Sequence, residues 1–267
     1  MRAVVDVIVV AGMLVVVPVG LRLAGFSRLA AGLWWVGAVP GAVSLWLPRG
    51  AVAATLAGIY LCAALVLAAQ IPARLWARRT ASELAFATAL ITPAIAGVAL
   101  LAERAGHPLW GFDLGILALT TAHFHYAGFA AALVAGLLCR SFAESATGRA
   151  AALTVPAGTL LVLGGYFVGD LAELAGAVVL TAGMWAVAWL TLVRSREADR
   201  LTRALFRVSA TALAVSMILA LAWALGEATG LPHPTIPWMI ATHGVANAAG
   251  FALCGLAAWV RLRPRQP

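Results

Sequence analysis

Residues 113–139 read Asp-Leu-Gly-Ile-Leu-Ala-Leu-Thr-Thr-Ala-His-Phe-His-Tyr-Ala-Gly-Phe-Ala-Ala-Ala-Leu-Val-Ala-Gly-Leu-Leu-Cys, and no carboxylate or guanidinium occurs between Asp113 and Arg140. A helix crossing a bilayer needs roughly 20 mostly apolar residues, because ~1.5 Å of rise per residue must cover ~30 Å of hydrocarbon. This stretch meets that length with residues to spare. Working outward, hydrophobic residues make up 63% of the 267 positions and charged residues 10%, the reverse of what a water-soluble surface requires. The expected fold is all-α, a single polytopic transmembrane bundle over residues 1–267.

The apolar runs between charged clusters give nine spans, at about 3–21, 29–48, 50–71, 81–102, 113–139, 150–169, 172–193, 204–226 and 236–260, with eight or ten as the alternative counts. Gly164, Gly165, Gly169 and Asp170 mark a tight turn between spans six and seven. No internal repeat and no amphipathic surface helix stand out. All 18 basic residues are arginines. With nine spans, one side receives Arg22, Arg28, Arg74, Arg78, Arg79, Arg140, Arg149, Arg194, Arg196, Arg200, Arg203, Arg207, Arg261, Arg263 and Arg265. The other side receives only Arg2, Arg49 and Arg104. Basic residues are retained in the cytoplasm, so the amino terminus is expected outside, the carboxyl terminus inside, and the protein in the inner (cytoplasmic) membrane. The net charge of +8 therefore reads as topology. It is not interleaved with aromatics on a soluble face, and no nucleic-acid partner is expected. Cys62, Cys139 and Cys254 lie in or at the ends of apolar runs without paired spacing and read as small packing residues.

Ionisable groups inside a bilayer cost ~2.5–3.5 kcal/mol each even on insertion scales, which makes their positions informative. His123 falls about ten residues into the fifth span, and His243 enters the ninth from the same side. Rotation of ~100° per residue puts His123 near Thr120 and Tyr126 and points His125 the opposite way, beside Thr121. On the ninth span His243 and Asn247, four apart, share a face with Gly250. Asp6, Asp113, Asp170, Glu173 and Glu227 lie at outer ends of spans, and a polar cavity open to that side is the simplest construction. His107 and His233, beside prolines, read as loop residues.

The run His123-Phe-His-Tyr-Ala-Gly-Phe129, with Met239-Ile-Ala-Thr-His-Gly-Val-Ala-Asn-Ala-Ala-Gly-Phe251, resembles the YndJ-like family of bacterial polytopic membrane proteins. The resemblance implies a multi-pass protein that carries a transporter label in some catalogues, and it implies that the two segments serve one site. His-Phe-His-Tyr also resembles the haem-ligand segment of haem-copper oxidases, although the copper-ligand segment of those enzymes is missing from this chain.

Three functions follow as expectations. The first is an isomerase, cyclase or hydrolase-type enzyme acting on a lipophilic isoprenoid or lipid substrate. Its candidate residues are His123 or His125 as acid or base, Tyr126 and Asn247 orienting an oxygen, and His243 as second proton carrier with Glu227 beside it. The second is a proton-coupled transporter using the same groups. The third is a subunit holding haem or a transition metal through His123 or His125 and His243. Substrate, cofactor and oligomeric state are left open.

Overall fold

In lipid every backbone polar group must be satisfied within the segment, which leaves helices as the only way for these runs to cross. A computed structural model describes residues 1–26 and 28–262, the side chains of 28–30 excepted. Arg263, Arg265 and the Arg28 side chain, counted above among the inner arginines, lie outside the described residues. Those residues form helices and turns, with one isolated bridge between Leu109 and Phe112. The helices are α1 (Arg2–Leu23), α2 (Arg28–Ser44), α3 (Ala51–Ala68), α4 (Ile71–Ala77), α5 (Ala81–Ala105), α6 (Leu114–Ser141), α7 (Ala146–Val168), α8 (Asp170–Ser195), α9 (Arg200–Thr229) and α10 (Ile236–Leu262).

Each expected span falls on one of these helices. Eight are long and apolar enough to cross a membrane, with α3 and α4 counted there as one segment. The remaining helix, α2, has 17 residues, and i→i+3 turn bonds from Leu45, Trp46 and Leu47 lengthen its apolar run. One expectation is corrected. The glycines at 164 and 165 do not break α7, which runs to Val168 and turns at Gly169 alone. The short helix α4, which follows α3, carries Trp76, 83% exposed, while its Arg74 lies over the ring of Phe26 at 4.2 Å and donates to Ala24 O at 3.3 Å.

Landmarks of the helix ends also recur along the chain. Gly50 (φ 148°) precedes α3 and Gly169 (φ 138°) precedes α8, each in a backbone conformation that only glycine adopts readily. Thr80 caps α5 by accepting from Glu83 N at 3.3 Å, and Asp199 caps α9 by accepting from Leu201 N at 3.1 Å. Hydrogen bonds from Thr202 hold the Asp199 carboxyl at about 2, below the ordinary carboxylate range. Helix α5 ends in Glu103-Arg-Ala-Gly106 with Pro108 after it, and α9 ends in Glu227-Ala-Thr-Gly230 with Pro232 after it. Both terminal glycines are left-handed, at φ 75° and 74°. Asp113 then caps α6 and Thr235 caps α10. Finally, α6 and α10 each widen into π-helix, at Phe124–Ala130 and at Ala246–Leu253, and each such segment contains Ala-Gly-Phe-Ala. The landmarks recur in one order, first along α2, α3, α5 and α6 and again along α7, α8, α9 and α10.

Contacts divide the chain into two compact units, residues 2–79 with 86–133, and residues 1 and 80–85 with 134 onward. The first packs Met13, Trp34, Tyr60, Phe86, Leu90 and Phe129 into its core. Lipid tails are as apolar as these side chains, so close van der Waals packing holds the helices together. In the second unit α7 and α8 approach backbone to backbone. A Cβ at Gly158 would lie 2.5 Å from the Leu180 backbone, and one at Gly176 would lie 2.5 Å from Val162 N. Phe206 meets Trp259 edge-on at 5.7 Å in the same unit.

Candidate functional site

In the first unit the π-helical turn of α6 carries His125 inward, with none of its surface exposed; such turns recur at functional positions. The ring meets Gly12, itself in a π segment of α1, where a Cβ would stand 2.8 Å from the His125 Cβ and Cγ. His125 Nδ1 is 2.7 Å from Thr121 O, and Nε2 is 2.9 Å from Tyr60 Oη. A carbonyl only accepts, so Nδ1 carries the proton and donates to Thr121 O. Nε2 is then the lone pair, and the Tyr60 hydroxyl donates to it. Tyr60 is held in turn by Trp34, edge-on at 5.3 Å, whose Nε1 donates to Met13 O at 2.8 Å. Tyr126, also buried, donates to Ile8 O at 2.9 Å and ties α6 to α1. His123 points away from this group and is exposed, its ring edge-on to Phe124 at 6.0 Å. The opposed faces expected for the two histidines are therefore those observed.

The second unit has its own cluster at the corresponding place. His243 Nδ1 lies 2.8 Å from Ser216 O, and the same argument puts the ring proton on Nδ1. Nε2 accepts from Asn247 Nδ2 at 3.1 Å, and Asn247 Oδ1 accepts from Ser216 Oγ at 3.0 Å. His243 and Asn247 share a face as expected, and Gly250, one turn on, lets Ala212 of α9 close against α10. Both histidines thus set Nδ1 on a backbone carbonyl and turn Nε2 toward a side chain able to donate, Tyr60 in one case and Asn247 in the other.

Glu227 is placed differently from the expectation. It pairs with His233, Oε1 to Nε2 at 3.1 Å, while the ring nitrogens of His243 are occupied by Ser216 and Asn247. His233, read as a loop residue, packs edge-on against Trp223 at 6.3 Å. Nearby, Tyr166 hydrogen-bonds the buried Glu173, which also feels the charges of Asp170 and Glu227. His125 and Tyr126 belong to the first unit, and His243, Asn247 and Glu227 to the second; each finds the partners named here within its own unit.

Sequence reasoning passed over a third polar group. Glu103 is buried at the end of α5, with Arg104 bonded to both of its oxygens. Arg49 reaches the same carboxylate through Nε at 2.9 Å and Nη2 at 2.7 Å, and Arg2 Nη2 stands 3.6 Å away. Arg104, 1% exposed, also donates to the carbonyls of Ser44 and Leu45, at 3.3 and 3.4 Å, at the end of α2. A Glu-Arg pair ahead of a helix-ending glycine was the available signal. For Tyr60 it was scarcity, since the chain has three tyrosines and the hydroxyl of each takes part in a polar contact.

As for a cofactor, no three His, Cys, Asp or Glu side chains converge on a metal-sized site among the described residues. An iron ligand needs an open ring nitrogen, and both nitrogens of His125 and of His243 are engaged.

A family model described as YndJ-like protein matches residues 7–251. No curated protein matches the chain, and no solved structure does.

Proposed function

The chain belongs to the YndJ-like family, and from that premise we propose that it is a transporter of the cytoplasmic membrane that couples a small solute to proton movement. The carrying observation is the recurrence of the landmarks over two successive sets of four spans, each set ending in a helix opened into π-helix around a polar cluster. An even number of spans per set runs both sets the same way across the bilayer, as in transporters built from parallel repeats. Irregular helix at membrane depth is tolerated where it serves a polar group. His125 stands eleven residues into α6, ~17 Å along it, and His243 seven residues into α10, ~10 Å along it. Each imidazole can take a proton on Nε2 and release one from Nδ1, which is the requirement for a relay.

An acid–base enzyme acting on a lipophilic substrate is the second reading. The observation in its favour is the fixed Nδ1–H tautomer, which leaves Nε2 as a ready base, with Tyr126 and Asn247 as orienting groups. Sealed vesicles holding a trapped pH dye separate the two readings. For the transporter, adding pooled small solutes shifts the interior pH, and His125→Gln, which keeps an acceptor for Tyr60 but not the titration, abolishes the shift while the protein melts as before. Wild-type flux in both His125→Gln and Asn247→Leu, or turnover of a lipid in detergent without any flux, overturns it.

The topology read from the arginines, amino terminus outside and carboxyl terminus in the cytoplasm, goes with this proposal. Its support is that all three arginines assigned outside, Arg2, Arg49 and Arg104, gather on one carboxylate, Glu103. A fluorescent protein fused after residue 267 is expected to light up and a periplasmic phosphatase fused there to stay inactive; the converse pattern reverses the topology.

A further inference from the structure

The second unit carries a groove that neither polar cluster uses. Val208, Thr211, Ala212 and Val215 form a stripe along α9 at intervals of three and four residues, and Ala246 of α10 forms its other wall. The groove measures about 520 Å³, and Arg207 lies at one end, seven residues into α9 and so ~10 Å from its first residue. That depth places its Cα under the headgroups, from where the long side chain reaches back to phosphate level. Three nearby arginines are engaged, Arg203 with the carbonyls of Ser195 and Ala198, Arg261 with Thr202 and Asp199, and Arg194 with Glu197, while Arg200, at the first residue of α9, does not line the groove. Arg207 is exposed and, among the described residues, has no hydrogen-bond or ion-pair partner.

A guanidinium at the rim of a hydrocarbon-facing groove needs an anion that brings its own apolar chain. We propose that this groove binds an anionic phospholipid, with the phosphate on Arg207 and one acyl chain lying along Val208, Ala212 and Val215 against Ala246. The planar, permanently charged fork of arginine suits a phosphate, and the small side chains of Ala212 and Ala246 leave the depth that a chain requires. The inference depends only on α9 and α10 crossing the bilayer and is independent of what the protein transports.

Purified protein in mild detergent tests it, melted with phosphatidylglycerol or with phosphatidylcholine of the same acyl chains, bound lipid being counted by native mass spectrometry. Phosphatidylglycerol is expected to raise the melting temperature and to be retained over phosphatidylcholine. Arg207→Gln should lower that retention about fivefold, the share one basic residue contributes to attraction for an anionic lipid. Thr211→Phe, which fills the groove from an exposed position and keeps the arginine, should lower retention as well. Arg196→Gln, in the loop before α9, should leave it unchanged. Equal retention of the two lipids, no change on Arg207→Gln, or full reproduction of the thermal shift by glycerol phosphate without acyl chains would overturn the assignment.

Discussion

Glu103→Gln is expected to destabilise the protein by about 3–5 kcal/mol, the largest effect of any single polar substitution in the first unit. The reason is what remains behind. Arg104 is 1% exposed, and glutamine neutralises its counter-charge while the guanidinium stays out of water. Arg49 and Arg2 lose the same acceptor, so the end of α1 and the turn before α3 come free of α5 together. Adding Arg104→Met should recover part of the loss, because a buried ion pair replaced on both sides costs less than one left half-made. The recovery is incomplete, since Arg104 also donates to carbonyls at the end of α2. Thermal unfolding in detergent reads both variants. A shift below 1 kcal/mol for Glu103→Gln would mean that the carboxylate is not the hub its contacts describe.

This hub also shows how little the arginine count said of structure. Arg2, Arg49 and Arg104 stood out in the sequence only as exceptions to an inner excess. Their common partner, Glu103, lies one residue beyond the end of the apolar run at 81–102, and nothing in the run marks it as a meeting point. Spans were legible because the bilayer allows few alternatives: each needs length and hydropathy, and the helices carry both except where α2 falls short and α4 only extends the run of α3. Tertiary pairings were not. Tyr60 and His125 are 65 residues apart, and no periodicity links them. His243 and Asn247, four apart on one helix, were readable from rotation alone. Glu227 was matched to the wrong histidine because the hairpin between α9 and α10 folds His233 back over Gly226, which hydropathy does not encode. The recurring landmarks are invisible to hydropathy because they are glycine conformations, caps and π turns more than side chains. The two polar clusters differ, and His125 occupies the place in its set, two residues before the Ala-Gly-Phe-Ala run, that Asn247 occupies in the other.

Gly12→Val is expected to cost about 3–5 kcal/mol, from overpacking against the imidazole together with the broken hydrogen bond beyond it. The first Cβ atom already falls 2.8 Å from the His125 Cβ, Cγ and, at 2.9 Å, Cδ2, and Phe124 to Ala130 have no slack in which to retreat because their side chains are buried on nearly every side. Any shift of the ring lengthens the 2.9 Å contact to Tyr60 and strands its hydroxyl in an apolar core. Gly58→Ala on α3, where nothing lies within 4 Å of the added atom, is the comparison and should be neutral or slightly stabilising, as a glycine replaced in a helix interior generally is. The sharper measurement is a cycle. Gly12→Ala and His125→Ala in one chain should be more stable than the sum of the separate losses, because the second change removes two of the three atoms that the first one strikes, Cγ and Cδ2, and leaves only the Cβ; a coupling of about 0.5–3 kcal/mol is the expected size for residues in contact. Strict additivity would separate Gly12 from the histidine and remove the reason for a glycine at that turn of α1. A positive coupling accompanied by lost solute flux in Gly12→Val vesicles would tie the packing of α1 to the protonation site itself.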